Sequence, residues 1–319
     1  MHYFITGCNG LVGSYIARKV LTQGGKVSAI KRKQSKLTYI EDIAEQINWY
    51  DGDVLDILSL DKGVEQADCV IHCAGVVSFH RRDFKLMFKV NVEGTKNVVN
   101  TCKKYHVQKL VHISSVAALG NKYDEETVNE NAEWDNVNEH SSYGLTKFLG
   151  EQEIWRGNAE GLDVIVINPS VVIGRGEWGR SSLALLEYAN SNPIFYPEGY
   201  INYIDARDLA EVIYLLINRE FYNERFITSG GYMTYKKMLN LLAYKLGKKP
   251  PKFKINPFIA STALYAAKLT AFILGKPPIL SKELLKNSRN KTVFSNEKIK
   301  EKLSFTFKSI EDTLDWIKP

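Results

Sequence analysis

Cysteine is scarce in this chain of 319 residues, and its four cysteines lack the paired spacing that metal ligands show. They lie in apolar or strand-like contexts, at Cys8, Cys69, Cys73 and Cys102. We therefore expect buried thiols of a reducing compartment, with neither a disulfide framework nor a metal centre. The excess of positive over negative charge is also small. The net charge of +6 is spread widely apart from lysines near residues 248–254, which argues against a nucleic-acid partner.

Long hydrophobic runs are missing too. The most apolar stretch, residues 258–274, is interrupted by Lys268 and has about 17 residues, fewer than the ~20 that a membrane-spanning helix needs. We expect no transmembrane segment, but either a helix packed against the rest of the protein or an interfacial helix in peripheral contact with a membrane. The chain opens on the strand-like Tyr3-Phe4-Ile5 without a basic region before an apolar stretch, which predicts no secretory signal and a cytoplasmic protein.

Short apolar runs alternate with amphipathic stretches through the first half of the chain. The runs predict buried parallel strands at residues 2–6, 27–30, 69–73, 110–113 and 164–167, and the stretches predict helices at 11–22, 84–105 and 141–155. This alternation predicts the α/β class, with a doubly wound parallel Rossmann sheet. We expect residues 1–168 to form this domain and residues 169–319 a smaller α/β substrate lobe, with a segment near 200–230 returning to the sheet and two short helices in 295–318.

The first strand ends in a glycine-rich turn that opens a helix. The glycines follow a Gly-x-x-Gly-x-x-Gly spacing, which lets backbone amides approach a pyrophosphate at the positive end of the helix. A strand before the turn and a helix after it favour a dinucleotide site over a tight turn without a ligand. The expected cofactor contacts are Gly7, Asn9, Gly10, Leu11 and Val12.

The end of the second strand distinguishes the two nicotinamide dinucleotides. A carboxylate there would bind the ribose hydroxyls of NAD, whereas a basic residue would pair with the additional phosphate of NADP. The segment Lys31-Arg32-Lys33 contains no carboxylate, so we predict NADP(H), with NAD(H) as the alternative. Arg32 is our choice for the phosphate contact because a guanidinium binds phosphate in a bidentate fork. The alternative is a solvated basic turn.

Tyr143 and Lys147 are four residues apart, a spacing that places two side chains on one face of a helix. An ammonium close to a phenol favours the phenolate, so we predict that Lys147 lowers the pKa of Tyr143. Such a tyrosine exchanges a proton with a carbonyl or alcohol near neutral pH. The alternative is an ordinary surface pair.

Together these motifs resemble the extended short-chain dehydrogenase/reductase family over most of residues 1–235. Further matching motifs follow the strands: Asp53-Val54, His72-Cys73-Ala74-Gly75, Asn91-Val92-Glu93-Gly94-Thr95-Lys96-Asn97, Ser114-Ser115 and Asn168-Pro169-Ser170. The segments Val76-Val77-Ser78-Phe79 and Gly275-Lys276-Pro277-Pro278 are similar to bacterial members related to dihydroflavonol 4-reductases and 3β-hydroxysteroid dehydrogenases. Nucleotide-sugar epimerases of the family usually carry Arg-Asp-Tyr where this chain reads Ile201-Asn202-Tyr203.

The resemblance implies a catalytic triad of Ser115, Tyr143 and Lys147. Ser115 would bind the substrate oxygen and Tyr143 would donate the proton, while Lys147 would hold the nicotinamide ribose, so that the last two also contact the cofactor. Ser114 competes for the first role, but neighbouring residues of a strand face opposite ways. We expect the serine that is not catalytic to bond the backbone.

The resemblance also implies further contacts. Those to the cofactor would come from Asp53, Val54, Cys73, Ala74, Gly75, Pro169 and Val171, and weaker ones to the substrate from Val77, Ser78 and Ser115. Independently of the resemblance, Tyr203 is expected in a loop of the lobe that suits an apolar or aromatic substrate, and Arg175 is a candidate to reach either a cofactor phosphate or a substrate acid. A strand-to-helix turn is the alternative role of Asp53. We expect Asn91 to be structural or close to the cofactor, and His72 to be a core histidine rather than a base.

The sequence thus predicts an NADP-dependent reductase or dehydrogenase that acts on a ketone, an aldehyde or a secondary alcohol. The first alternative is a nucleotide-sugar epimerase or dehydratase, which the basic strand end and the missing arginine disfavour. The second is a Rossmann protein that senses NADP without turnover, which the complete triad disfavours. A homodimer through the helices at 84–105 and 141–155 is expected from the resemblance.

Overall fold

The structure, a computed structural model, describes residues 1–120, 127–134, 141–176, 184–256 and 290–317. The strands are β1 His2–Thr6, β2 Lys26–Lys31, β3 Ile47–Asp51, β4 Cys69–His72, β5 Lys109–Ile113, β6 Thr127–Val128, β7 Asp163–Pro169, β8 Val171–Ile173, β9 Phe195–Tyr196, β10 Tyr200–Asp205, β11 Glu224–Thr228, β12 Gly231–Thr234, β13 Phe253–Lys254 and β14 Val293–Phe294. The α-helices are α1 Leu11–Thr22, α2 Ile57–Val64, α3 Phe84–Phe88, α4 Gly94–Lys104, α5 Ser142–Ala159, α6 Ala184–Asn190, α7 Ala206–Asn218, α8 Tyr235–Lys245, α9 Glu297–Leu303 and α10 Ile310–Trp316.

Seven parallel strands form the central sheet, in the order β3-β2-β1-β4-β5-β7-β11. The strand order reverses direction on either side of β1, so β1 and β4 enclose the crevice at which such sheets bind ligands. Residues Thr6 and His72 are paired at the carboxyl ends of these two strands. The predicted α/β class with a doubly wound parallel sheet is confirmed.

Both faces of the sheet are covered by helices, as the alternation of residues along β1 shows. Tyr3 and Ile5 pack with α1 and α7 on one face, whereas Phe4 packs with α2, α4 and α5 on the other. All three side chains are at most 2% exposed. Burial on both faces explains why the parallel strands appear in the sequence as continuous apolar runs.

A smaller lobe is built on the three-stranded sheet β12-β10-β8. Its core contains residues of β8, β10, α6, α8 and α10, among them Ile201, Leu239 and Leu314. The part of the 200–230 segment that joins the central sheet is α7 and β11, while β10 lies in the lobe sheet. Tyr203, which we expected in a loop, lies in β10 because its alternate residues Ile201 and Tyr203 face the lobe core.

The predicted strand and helix positions agree with the structure to within a few residues. The bounds of β1 and α1 agree at both ends. The helix predicted over 84–105 contains a π-helical turn, Lys89–Glu93, between α3 and α4. The two short helices predicted in 295–318 are α9 and α10.

The four cysteines form no disulfide. All four cysteines are free thiols, three of them buried and Cys73 half-buried. Burial raises the pKa of the Cys8 thiol to about 12.

In the described ranges, no helix has the length and apolarity to cross a membrane. The interfacial helix proposed for residues 258–274 lies outside the described residues.

Candidate active site

The glycine turn after β1 has a conformation that requires its first glycine. Gly7 has a φ of +66°, and a Cβ atom built on it would lie 2.7 Å from the nitrogen of Ala74. A Cβ on Gly13 would lie 2.4 Å from the carbonyl oxygen of Gly7. Side chains are thus excluded where the first turn of α1 approaches the strand, and Gly10 stands at the N-cap of α1. This is the cradle of bare backbone that a pyrophosphate needs, so the residues fit a dinucleotide.

Other predicted cofactor residues are held against this turn. The main chain of Cys73 and Ala74 packs on Gly7, and the Ala74 amide donates a hydrogen bond of 3.2 Å to Thr6. The Asn9 amide donates to the carbonyl of Lys36 at 3.2 Å, which joins the turn to the segment after β2. The structure therefore brings Gly7, Asn9, Cys73 and Ala74 together at one edge of the sheet.

The basic residues at the end of β2 are placed differently from one another. Lys31 forms an ion pair of 3.0 Å with Asp51 at the end of the neighbouring strand β3. Arg32 and Lys33 are exposed, and neither has an ion-pair partner within the described residues. Two cations consequently remain accessible beside the predicted ribose position.

Asp53 and Val54 lie in the turn between β3 and α2. The Asp53 carboxylate accepts a hydrogen bond of 3.0 Å from the amide of Leu55, so it has the turn role given above as the alternative. Val54 is buried against Gly94 at the start of α4, and its carbonyl accepts from Asn97 at 3.0 Å. The contact of both residues with adenine stays a prediction.

The helix that carries Tyr143 is fixed at its first turn. Ser141 is the N-cap of α5 and accepts from the Gly144 amide at 3.0 Å. A Cβ on Gly144 would lie 2.4 Å from the carbonyl of Ala117, so α5 packs directly on the turn after β5. That turn begins at Ser115, whose hydroxyl accepts from the Ala117 amide at 3.1 Å and lies close enough to the Tyr143 phenol to oppose the rise in its pKa.

Lys147 lies one helical turn further along α5 and is 5% exposed. Its ammonium donates a hydrogen bond of 2.7 Å to the carbonyl of Ile113 at the end of β5. A Cβ on Gly75 would be 3.7 Å from Lys147 Nζ, so the loop after β4 passes beside the ammonium. Ser115, Tyr143, Lys147 and Gly75 thus converge at the carboxyl edge of the sheet.

The electrostatics of the triad differ from our prediction. Burial raises the pKa of Tyr143 to about 12, and the hydrogen bond from Ser115 only partly opposes this. Burial lowers the pKa of Lys147 to about 8, against the opposing effect of the Glu151 carboxylate. The predicted lowering of the tyrosine pKa is wrong for the protein without cofactor. The two residues are one helical turn apart as predicted, but the Lys147 ammonium is bound to the Ile113 carbonyl. Burial disfavours the charged phenolate, and this effect dominates the pKa of Tyr143.

We expected the serine without a catalytic role to bond the backbone, but the Ser114 side chain does not do so within the described residues. Its hydroxyl is buried and has no hydrogen-bond partner among the described residues, whereas Ser115 bonds the backbone amide of Ala117. Ser114 and Ser115 follow the end of β5 in extended backbone, where neighbouring residues point to opposite sides, so Ser115 lies toward Tyr143 while Ser114 is buried.

Asn91 is structural and lies in the π-helical turn. Its amide oxygen accepts from the Val76 amide at 2.8 Å, and its amide nitrogen donates to the Val76 carbonyl at 2.9 Å and to Thr146 at 3.0 Å. One side chain therefore joins the loop after β4 to α5. Gly75 lies within this loop, and a Cβ atom built on it would be 3.3 Å from Asn91 Oδ1.

His72 is a satisfied core histidine, as predicted. Thr95 donates its hydroxyl proton to the Asn91 carbonyl at 2.7 Å, so it accepts from His72 Nε2 at 3.0 Å. Nδ1 then accepts from the Thr6 hydroxyl at 2.7 Å, whose oxygen accepts from the Ala74 amide. The tautomer is fixed by this directional chain, and burial lowers the pKa of His72 to about 3. The ring is neutral and is no base.

Of the predicted substrate residues, those after β4 are nearest to the triad. Val77 is 45% exposed, and Ser78 donates to the Asp83 carboxylate at 2.6 Å. The ring of Phe79 lies edge-on to that of Tyr143, with centroids 6.3 Å apart and planes at 68°. Phe79 was not among the predicted contacts, although it stands in the motif that contains Val77 and Ser78.

Arg175 and Tyr203 contact residues of the lobe. The Arg175 guanidinium donates to the Trp316 carbonyl at 2.6 Å and lies over the indole, 4.8 Å from the ring centroid. Tyr203 is 8% exposed, and its hydroxyl would be 2.9 Å from a Cβ on Gly231 of the neighbouring strand. Both side chains are engaged in packing the lobe, and their substrate contacts remain predictions.

Pro169 and Val171 flank the passage from the central sheet to the lobe. Pro169 ends β7 and Val171 begins β8, where its side chain packs on the lobe core. Between them, the Ser170 amide donates to the Thr228 carbonyl at 3.0 Å. The main chain of this segment runs beside the β7 end of the site, and its cofactor contacts remain predictions.

Two buried residues next to the triad were absent from the predicted site. Glu151 is fully buried in α5, and Asn168 is fully buried in β7, where the Asn168 amide donates to Glu151 at 2.6 Å. The signal for Glu151 was its position, because residues 143, 147 and 151 repeat at four-residue spacing on one helix face.

Comparisons with known proteins agree with this geometry. Residues 3–226 match the model of the NAD dependent epimerase/dehydratase family. The chain is 27% identical over 259 residues to sterol demethylase protein B of Methylococcus capsulatus, covering 81% of this chain and 78% of that protein. It is 25% identical over 318 residues to a provisionally named dihydroflavonol 4-reductase of Synechocystis, covering 98% and 92%.

Solved structures of similar fold cover nearly the whole chain. The structure of gox2253 has a TM-score of 0.82 and 27% identity, over 98% of this chain and 97% of that one. The yeast methylglyoxal/isovaleraldehyde reductase Gre2, solved with NADPH, has a TM-score of 0.75 and 23% identity, over 99% and 97%. The second likeness shows the fold alone.

Proposed function

The chain belongs to the NAD dependent epimerase/dehydratase family, and from that premise we propose that it is an NADP(H)-dependent oxidoreductase that reduces a ketone or aldehyde or oxidises the corresponding secondary alcohol. The observation that carries the proposal is the convergence of Ser115, Tyr143 and Lys147 beside the glycine turn. A non-catalytic sensor would have no need of a hydroxyl, a phenol and an ammonium at one edge of the sheet.

The protonation states suit carbonyl reduction. The bound dinucleotide would supply the hydride. Tyr143, with a pKa of about 12, is a neutral phenol at pH 7 and can donate its proton to the oxygen that becomes an alkoxide. The Ser115 hydroxyl, beside the Tyr143 phenol, would bind the same oxygen and stabilise its charge as it forms.

Lys147 would serve the cofactor. With a pKa of about 8 it is mainly cationic at pH 7, and only one of its three protons is used by the Ile113 carbonyl. The other two can bind ribose hydroxyls. Since Gly75 lies beside the ammonium, the nicotinamide ribose would enter between this loop and α5.

The preference for NADP rests on charge at the end of β2. The carboxylate nearest in the sheet, Asp51, is paired with Lys31, so it is not free to bind a ribose hydroxyl. Arg32 and Lys33 are exposed and available to a phosphate.

An epimerase acting on a nucleotide sugar is the second candidate, because the family is named for epimerases and a UDP-glucose 4-epimerase is among the solved structures of similar fold. In this chain Ile201 stands where those epimerases usually carry an arginine, and it is 3% exposed in the lobe core. The side chain of the neighbouring Asn202 already has two hydrogen-bond partners. Its Nδ2 donates to the Thr292 carbonyl at 2.9 Å, and its Oδ1 accepts from the Phe294 amide at 3.0 Å. Neither residue is cationic, so neither can pair with the diphosphate of a nucleotide sugar.

The first test is a titration of the purified protein with NADPH and NADH, followed by fluorescence. We expect NADPH to bind more tightly, and Arg32→Ala to weaken NADPH binding by about tenfold or more while it leaves NADH binding unchanged. Lys26→Ala is the matched control, because it removes one positive charge from the opposite end of β2.

Tight NADPH binding would justify a screen of ketones and aldehydes, with Tyr143→Phe as the inactive control. A preference for NADH, combined with turnover of a nucleotide sugar, would replace the proposal with the epimerase. Binding of NADPH without any turnover that depends on Tyr143 would identify a sensor.

A further inference from the structure

Glu151 is a fully buried carboxylate that the proposed chemistry does not use. It lies one helical turn after Lys147 on α5 and is 0% exposed. Its two oxygens accept from different elements, one from the Asn168 amide at 2.6 Å and the other from the Arg225 guanidinium at 2.5 Å. A buried carboxylate with two donors costs more in desolvation than an apolar residue of its size, and replacement of such pairs is often stabilising. Fold stability alone therefore gives little reason for it.

The first connection from Glu151 to the triad is mechanical. The same Asn168 amide nitrogen that donates to Glu151 also donates to the Ser115 carbonyl at 2.9 Å. The carboxylate thereby fixes the orientation of Asn168, and Asn168 fixes the main chain at Ser115. No other side chain among the described residues donates to this carbonyl.

The second connection is electrostatic. The titratable groups around Lys147 besides Glu151 are Tyr143 on the same helix and, from other elements, His72 on β4, His112 on β5 and Cys73 after β4. Burial keeps both imidazoles neutral by lowering their pKa and keeps the thiol and the phenol neutral by raising theirs. Glu151 is thus the anion that acts on the ammonium, and its carboxylate is also paired with the Arg225 guanidinium.

We infer that Glu151 is a positioning residue that keeps Lys147 cationic by its charge and holds Ser115 in place through Asn168. The inference rests on the proposed roles of Lys147 and Ser115. Arg225 sets the strength of the effect, because it shares the carboxylate from the edge strand β11. The two arms can be separated, since one depends on charge and the other on a hydrogen bond.

The charge arm is tested by measuring the pKa of Lys147 directly. Protein labelled with 13C and 15N at lysine is titrated by NMR without cofactor, and the Lys147 signal is assigned by its absence in Lys147→Met. We expect a midpoint near pH 8 in the wild type and a midpoint lower by about one pH unit or more in Glu151→Gln, which keeps the hydrogen bond from Asn168. Glu153→Gln, the same change two residues further along α5, should leave it unchanged.

Glu151→Gln leaves Arg225 without its partner, so Glu151→Gln/Arg225→Met supplies a version without an unpaired buried charge. It should fold and show a lowered Lys147 midpoint as well. A midpoint unchanged by both variants would overturn the charge arm, and failure of both to fold would assign Glu151 a structural role instead.

The hydrogen-bond arm is tested by Asn168→Ala, which keeps the charge of Glu151. We expect an unchanged Lys147 midpoint but an amide exchange at Ala117 that is faster by tenfold or more, because this amide donates to the Ser115 hydroxyl. Unchanged exchange would contradict this arm. These readouts need no turnover, so they distinguish a failure of this inference from a failure of the proposed reaction. If a carbonyl substrate is found, Glu151→Gln should shift the pH profile of kcat/KM by the same amount as the midpoint.

Discussion

Gly7 and Ala74 are in main-chain contact, since a Cβ on Gly7 would lie 2.7 Å from the Ala74 nitrogen. We expect Gly7→Ala to weaken NADPH binding by at least tenfold, because the added methyl separates the glycine turn from the loop after β4. Gly7 also has a φ of +66°, where an alanine is strained by about 1–2 kcal/mol.

Gly24→Ala separates strain from contact. Gly24 has a φ of +75°, and nothing lies within 4 Å of its Cβ position. This variant should lose about 1 kcal/mol of stability in a thermal or urea transition and bind NADPH as the wild type does. Equal losses of binding in the two variants would show that the contact with Ala74 is unimportant.

The two serines after β5 form a second matched pair. Ser115→Ala removes the hydroxyl beside the Tyr143 phenol, and we expect kcat to fall by about 10²-fold. Ser114→Ala removes a buried hydroxyl without a partner among the described residues, so it should leave kcat within twofold and keep or raise the stability. Steady-state kinetics and urea unfolding of both variants measure this, and a reversed order would exchange their roles.

Phe79 lies beside the Tyr143 phenol, and we expect it to select substrates. With its ring edge-on to Tyr143, it presents an apolar wall beside the reacting oxygen. Phe79→Ala should lower kcat/KM for aryl ketones or aldehydes about tenfold more than for short aliphatic ones, which corresponds to an aromatic contact of ~1.4 kcal/mol. Phe253→Ala, on an exposed ring of the lobe, is the control. Equal losses for both substrate classes would argue against a wall.

His72 makes the stability of the protein dependent on pH. Its pKa is about 3 in the folded protein and 6.5 when unperturbed, so the neutral ring stabilises the fold fully above pH 6.5. As the pH falls from 6.5 toward 3, the unfolded chain binds a proton that the folded protein cannot, and this stabilisation is lost. Between pH 7.5 and 5.0 the loss amounts to about 2 kcal/mol.

Urea unfolding at the two pH values checks this expectation. His72→Asn should be less stable at pH 7.5, because two hydrogen bonds are altered, but should lose about 2 kcal/mol less than the wild type on acidification. His106→Asn controls for the loss of a histidine in general. The same acid sensitivity in His72→Asn and wild type would contradict the assignment.

The local pattern was sufficient for much of the fold. The bounds of β1 and α1 follow from an apolar run, a glycine turn and an amphipathic repeat that lie within 22 residues. The cradle at Gly7 and the pair Tyr143 and Lys147 depend on equally local signals. These elements were therefore predictable without a tertiary structure.

The remainder depends on contacts between distant segments. The π-helical turn is set by Asn91 reaching Val76 and Thr146, and neither partner is apparent from the helix's own sequence. The pair of Glu151 and Arg225 joins residues 74 positions apart. The spacing of Tyr143 and Lys147 likewise gave their common face but not the carbonyl to which the ammonium is bound.

The directional chain through His72 has a consequence for the order of assembly. Its hydrogen bonds join residues 66 and 23 positions apart, so they form only after β1 has paired with β4 and α4 has docked on the sheet. The last of these bonds holds the Ala74 amide against Thr6, directly before the glycine turn. A nascent chain that ends before α4 therefore has the complete glycine motif without the geometry to use it, and the ability to bind a dinucleotide arises with the tertiary fold rather than with the motif.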